Sequence, residues 1–232
     1  VDERYPTTTG RFQDAVVQCL EVIGNLISLE GLSGLDANRE VVVKELQERI
    51  LQEGKNLGNG ILKVDGFVNH QVDPVLMDAC GKEFAKRFTA VGATKVLTAE
   101  ISGIAPAVAT ALHMSLPVVY ARKHKPITMP DQVLLTLAPS HTKGRTVELI
   151  VSPEFLADGE RVLIIDDFLA SGNTILGLVR LAETAGSQIV GIGTLIEKTF
   201  EGGRDALTPL GVPIEALARI CAMDDEKIEF CD

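Results

Sequence analysis

The chain has 232 residues, 46% of them hydrophobic and 4% aromatic with no tryptophan, and carries a formal charge of −10 with a pI near 4.9. That length suits about one domain of ~150 residues with an appendage, and a composition dominated by Val, Ile, Leu, Ala and Gly is that of an α/β fold, a mainly parallel sheet covered by helices. The acidic balance excludes general nucleic-acid or anionic-membrane binding and leaves small anions, provided that local positive charge holds them.

Residues 1–10 are polar and read as a linker-like terminus. Phe12, Val16, Leu20, Ile23 and Ile27 then recur at helical spacing, which predicts a helix that packs or makes a dimer contact. A second helix is expected from Arg39 to Gln52, with Val42, Leu46 and Ile50 on one face and Gly54 beyond its end. The segment 55–73 combines a short Ile61–Val64 strand with a polar turn around Asn69 and His70, forming a small hood. The amide of Asn69 both donates and accepts, so it suits a ligand edge. His70 has no His or Cys partner at ligand spacing and reads as structural.

Pro74 opens a helix with Leu76, Cys80, Phe84 and Phe88 on one face. The strand Lys95–Thr98 then feeds the turn Glu100-Ile101-Ser102-Gly103 and an apolar helix over 104–114. This is an anion-binding arrangement of the strand, turn and helix type. The strand Pro117–Ala121 ends on the basic run Arg122-Lys123-His124-Lys125. A basic run is usually just solvated surface, but in an acidic protein a strand's carboxyl end is where a pyrophosphate would require it. Residues 126–146, rich in proline and with a strand-like Val133–Leu137, are expected to form a mobile hairpin lid whose return strand is Val147–Ser152.

The central stretch is Val162–Thr174, VLIIDDFLASGNT. Four apolar residues run into Asp166 and Asp167, and a loop of small residues then opens a helix near Thr174. Ala170, Ser171, Gly172, Asn173 and Thr174 allow close backbone approach to a phosphate. The paired carboxylates repel that phosphate and suit the vicinal hydroxyls of a ribose instead. Gly186 closes the helix, and the buried strand Ile189–Ile196 ends on Glu197-Lys198, at the same sheet edge as Asp166. Lys198 is there either a snorkelling strand-end lysine or a ligand contact. A helix over 203–211, a strand-like 213–220 and a final strand 227–230 complete the chain. The cysteines Cys19, Cys80, Cys221 and Cys231 show no paired spacing and are expected as free thiols of a reducing compartment. No apolar run reaches the ~18 residues of a membrane span, and no signal-peptide pattern is present. With the chain starting at Val1, a leader removed upstream stays open.

The Val162–Thr174 stretch resembles the signature of type I phosphoribosyltransferases for phosphoribosyl pyrophosphate (PRPP), and no lysine follows the glycine as a P-loop would require. With ILKVDGFVNHQVDP, SGIAPAV, PVVYARKHK, LIIDDFLASG, GIGTLIEKTF and GRDAL in order, residues 43–230 resemble the bacterial-type xanthine phosphoribosyltransferase family. The resemblance implies a type I phosphoribosyltransferase fold with hood and flexible lid over residues 43–232, and leaves 1–42 as an N-terminal helical extension. It implies a cytoplasmic homodimer that joins xanthine to PRPP with Mg²⁺, the metal being held mainly by pyrophosphate and ribose hydroxyls. By position, residues 170–174 would bind the 5-phosphate, Asp166 and Asp167 the ribose, and Glu100, Ser102 and Gly103 the pyrophosphate, with a cis peptide near Ile101. Arg122 and Lys123 would stabilise the leaving group, while Leu62, Asn69 and Lys198 would hold the purine.

Ser171 stands where the family commonly has asparagine. Ala170 stands where hypoxanthine-guanine enzymes place an acid, consistent with xanthine, although adenine enzymes also carry alanine there. The alternatives are a guanine, hypoxanthine or adenine enzyme, and a PRPP-sensing regulator that binds nucleic acid. The regulator would need a basic domain, and in residues 1–42 Arg4, Arg11 and Arg39 are outnumbered by acidic residues.

Overall fold

A computed structural model of the chain describes residues 41–139, 146–224 and 227–231. The expected helix over 12–27 lies outside them, as do Cys19 and the tip of the hairpin. Helix α1 occupies residues 41–53 and buries Leu46 and Ile50. The strands β1 (Lys55–Asn56) and β2 (Leu62–Lys63) pair antiparallel across the turn 57–61. The expected strand Ile61–Val64 is therefore shortened to two residues.

The polar turn expected at Asn69 is instead a π-helical turn, Asp65–Asn69, because Phe67 and Val68 within it are pulled into the core. Helix α2 (Pro74–Arg87) starts where Asp73 accepts from the backbone N–H groups of Val75 and Leu76 and Pro74 fixes the first turn. Its face of Leu76, Cys80 and Phe84 is buried, and burial pushes the Cys80 thiol pKa up to about 12.

The main sheet has six strands in the order β10-β9-β8-β7-β3-β4. These are β3 (Lys95–Ala99), β4 (Val118–Ala121), β7 (Arg161–Leu169), β8 (Gln188–Lys198), β9 (Ile214–Asp224) and β10 (Lys227–Phe230). All neighbours are parallel except β9 and β10. Helix α3 (Ile104–Met114) carries β3 to β4 on one side, whereas α4 (Asn173–Thr184) carries β7 to β8 on the other. The strand order thus reverses between β3 and β7, and the crevice at their carboxyl ends is where an open α/β sheet offers a ligand site.

Two buried clusters cover the sheet. One joins α1, the hood and α2 through Phe67, Phe84 and Phe88 to Ile165 and Leu195, and the other joins Leu178, Leu181 and Leu149 to Ile164 and Ile192. On β8, Gly191 and Gly193 leave room for rings from below: a Cβ on Gly191 would stand 2.8 Å from Phe88, and one on Gly193 3.1 Å from Phe84.

The hairpin is β5 (Leu134–Pro139) and β6 (Thr146–Val151), close to expectation. Its strands touch the body at several points. Arg180 donates to Thr136 Oγ1 and to the Leu137 carbonyl, Leu149 is 1% exposed, and Ile150 bridges Arg122. The helix expected over 203–211 divides into α5 (Gly203–Leu207) and a 3₁₀ turn, Thr208–Leu210, because Pro209 cannot donate into a continuing helix. Cys221 and Cys231 form a disulfide, against the expected free thiols, since the β9–β10 pairing brings their Cα atoms to 5.3 Å. Cys80 remains a buried free thiol.

Candidate active site

Strand β7 continues through Asp166 and Asp167, so the two carboxylates alternate sides of an extended backbone. Asp166 is 5% exposed, and Asp167 is partly exposed. Burial, then the neighbouring Asp167, holds the Asp166 carboxyl well above its usual range, and the backbone N–H of Asp167 donates to Asp166 Oδ1 at 3.0 Å.

Gly103 has to be glycine here. A Cβ would lie 2.2 Å from Thr98 Oγ1 and 2.3 Å from Asp166 Oδ1. The peptide Glu100–Ile101 is cis, as expected near Ile101.

The loop after β7 leads into α4 through Gly172, the N-cap in the left-handed region at φ 77°, and no side chain caps the helix. The N–H groups of the first helical turn are thus left for a ligand rather than taken by a side chain. Asn173 Nδ2 donates to Ser171 Oγ at 3.0 Å. A cavity of about 220 Å³ gathers Ala170, Ser171, Gly172, Asn173 and Thr174 with Asp166, Asp167, Glu100, Ser102 and Lys123. The backbone N–H of Lys123 donates to Glu100 Oε1 at 2.6 Å, tying the basic run to the turn after β3.

Arg122, unlike Lys123, does not line that cavity. The backbone of Arg122 pairs with Ile150, and the chain bends at Lys123 directly after it. The Arg122 side chain lies 3.8 Å from Glu100 and lines a separate cavity of about 580 Å³ beneath Tyr120 and Met129.

The hood residues form a second group above the edge of β8. Lys198 is 6% exposed, donates to the Gly60 carbonyl at 2.8 Å and meets Glu201 Oε1 at 2.5 Å. Its ammonium stands 5.9 Å from the ring of Phe168, which also lines the smaller cavity. Leu62 is 7% exposed in the core beneath, and Asn69 Oδ1 is buried without a hydrogen-bond partner among the described residues. A buried orphaned acceptor calls for a donor from outside the chain.

Sequence reasoning missed the third wall. Gly203, at the start of α5, lies against the back of the 170–174 loop, where a Cβ would sit 2.2 Å from the Ala170 carbonyl and 2.9 Å from the Gly172 nitrogen. The signals available were the double glycine Gly202-Gly203 and the segment GRDAL that begins at Gly203, neither of which says what the glycine packs against.

The protein-family model of the phosphoribosyl transferase domain matches residues 95–209. The xanthine phosphoribosyltransferase of Listeria monocytogenes is 48% identical over 190 residues, 82% of this chain and 99% of that protein. That of Bacillus cereus is 49% identical over 188 residues, 81% and 95% of the two chains. Among solved structures, an adenine phosphoribosyltransferase from Rhodothermus marinus superposes with a TM-score of 0.63 at 26% identity, covering 78% of this chain and 99% of its own. One from Giardia lamblia, complexed with 9-deazaadenine, shares the fold at 24% identity and a TM-score of 0.63, covering 76% and 97%. With almost the whole length of such relatives covered at nearly half identity, the chain belongs to the xanthine phosphoribosyltransferase family.

Proposed function

We propose that the protein transfers the 5-phosphoribosyl group of PRPP to xanthine, giving xanthosine 5′-monophosphate and pyrophosphate in purine salvage. The observation that carries this reading is the Lys198 ammonium, fixed between the hood and the edge of β8 beside a crevice built for a ribose phosphate. An ammonium has three donors, and Gly60 and Glu201 engage two of them. The third suits the 6-oxo group of a purine and opposes the 6-amino group of adenine.

The 5-phosphate sits in the 170–174 loop on the N-terminus of α4. Asp166 and Asp167 accept from the ribose hydroxyls. As the bond from C1 to pyrophosphate breaks, positive charge grows on the sugar and negative charge on the departing group, so Asp167 favours the first and Lys123 the second. The purine nitrogen attacks from the opposite face, held by Lys198 and by Asn69, whose orphaned oxygen accepts from the base. Glu100, Ser102 and Gly103 shape the pyrophosphate side, and Leu62 packs under the purine.

Among the described residues no three acidic, His or Cys side chains converge as a metal cage. On this reading Mg²⁺ would arrive with PRPP, held mainly by its pyrophosphate and ribose hydroxyls, and would supply neutralisation of leaving-group charge. The same reading takes residues 1–42 as a separate N-terminal segment, the assembly as a homodimer and the location as cytoplasmic. No helix among the described residues is long and apolar enough to cross a membrane.

Steady-state assays with PRPP and a panel of xanthine, guanine, hypoxanthine and adenine test the reading. The expected result is the highest kcat/KM with xanthine; adenine turnover at or above that of xanthine would overturn it. An adenine enzyme is the second reading, favoured by the Rhodothermus marinus likeness and compatible with Ala170.

A further inference from the structure

The loop from Glu197 to Arg204 carries the base-binding lysine at one end and the backing of the phosphate loop at the other. Glu197, on β8, is 1% exposed. Arg204 grips it with both arms, Nε to Oε1 at 2.7 Å and Nη2 to Oε2 at 2.6 Å, while its Nη1 donates to the Ile214 carbonyl at 2.9 Å. Arg219 adds a third donor to Glu197 at 3.2 Å.

A buried ion pair is weak evidence for stability, because desolvation offsets most of its attraction, but a bidentate guanidinium fixes position and angle well. What it fixes here is the residue before it. Gly203 meets the phosphate loop backbone to backbone, with its own oxygen 3.1 Å from the place a Gly172 Cβ would take. Neither glycine has a side chain with which to hold this contact, so its spacing depends on what anchors the chain next door.

We infer that Arg204, clamped on Glu197, is a positioning residue for PRPP, holding Gly203 as the rigid floor of the 5-phosphate loop. This rests on the reading of residues 170–174 given above. Lys198 does not depend on the clamp to the same degree, since it has its own anchors in Gly60, Glu201 and the β8–β9 ladder through Ile220. Loosening the clamp therefore separates the two substrates.

The test is steady-state kinetics on Arg204→Lys and Arg204→Ala, with thermal melting beside each. Lysine keeps the charge and loses the fork. The expected result is a KM for PRPP raised at least about tenfold, since small misplacements at a substrate group are costly, with the KM for xanthine within about threefold of wild type. Added guanidinium, which can pair with Glu197 again, should lower the PRPP KM of Arg204→Ala toward wild type and leave its xanthine KM unmoved, whereas repair of a generally loosened fold would move both.

Equal changes in both KM values, or an unchanged PRPP KM in Arg204→Lys with only a lowered Tm, would overturn the inference. Should Arg204→Ala fail to fold, Arg204→Lys decides alone. Gly172→Ala keeps the two readings apart. A raised PRPP KM there with none in Arg204→Lys removes the clamp only, and a wild-type PRPP KM in Gly172→Ala removes the phosphate loop from the reaction and the clamp with it.

Discussion

The proposed phosphate side and the proposed base side of the crevice are built by opposite means. The first is nine consecutive residues, Asp166–Thr174, in which a strand end, a glycine-bearing loop and a helix start present backbone N–H groups. The second is assembled from side chains far apart in the chain, as in the bond from Lys198 to Gly60 across 138 positions. A site made of contiguous backbone fails through changes within itself or in what backs its loop, as Gly203 does here. One made of converging side chains fails piecewise, one partner at a time.

The largest effect that tests this contrast is expected at Asp167. Asp167→Asn keeps the shape and removes the charge that faces the developing sugar cation, and turnover should fall about 10²–10³-fold. Near wild-type kcat and PRPP KM would make the carboxylate pair structural and dissolve the distinction between the two sides.

A smaller and more selective loss is expected at Lys198. Lys198→Ala removes one charge-assisted hydrogen bond to the base, worth about 2 kcal/mol or roughly thirtyfold in kcat/KM for xanthine. PRPP affinity measured by calorimetry should stay nearly intact. A uniform loss over both substrates would show instead that the hood collapses when its anchor goes.

The mildest effect is on stability. Burial and Asp167 raise the Asp166 pKa, so the folded protein binds that proton more tightly than the unfolded chain does. The contribution to stability is complete below the ordinary carboxylate value of 3.8 and is lost as pH rises through the raised value, which leaves the substrate-free protein bearing the cost at neutral pH. Asp166→Asn should therefore melt higher than wild type at pH 7, by about 2–4 °C for each kcal/mol relieved. The gap should shrink as the pH approaches 4, and a gap that widens toward acid would reverse the sign argued for this group.

The same contrast explains what could be read from the amino-acid order. The run Val162–Ile165 into Asp166, Asp167 and a small-residue loop is local, and so are the strand, turn and helix around Gly103; periodicity and turn chemistry suffice for both. That Arg122 and Lys123 line different cavities could not be read, because a basic run does not say which way each of its members turns, a matter that depends on the pairing of Arg122 with Ile150. The union of Cys221 and Cys231 follows from a hairpin register, and the π-helical turn at Asp65–Asn69 follows from where Phe67 finds its core; neither has a spacing rule. The contact of Gly203 with the 170–174 loop joins segments some thirty positions apart, which no short window contains, and although Glu197 and Arg204 are only seven positions apart, nothing in that spacing says that the two side chains meet.

The missing side chains on β8 set a vertical dimension as well as a fit. With hydrogen in place of carbon at Gly191 and Gly193, the rings of Phe84 and Phe88 rest on the strand itself, and α2 lies one atom layer nearer the sheet than it otherwise could. The hood precedes α2 and is joined to it through the cap at Asp73, so its height above Lys198 follows that of the helix. Two hydrogens buried in the floor thereby set the headroom for a flat bicyclic base.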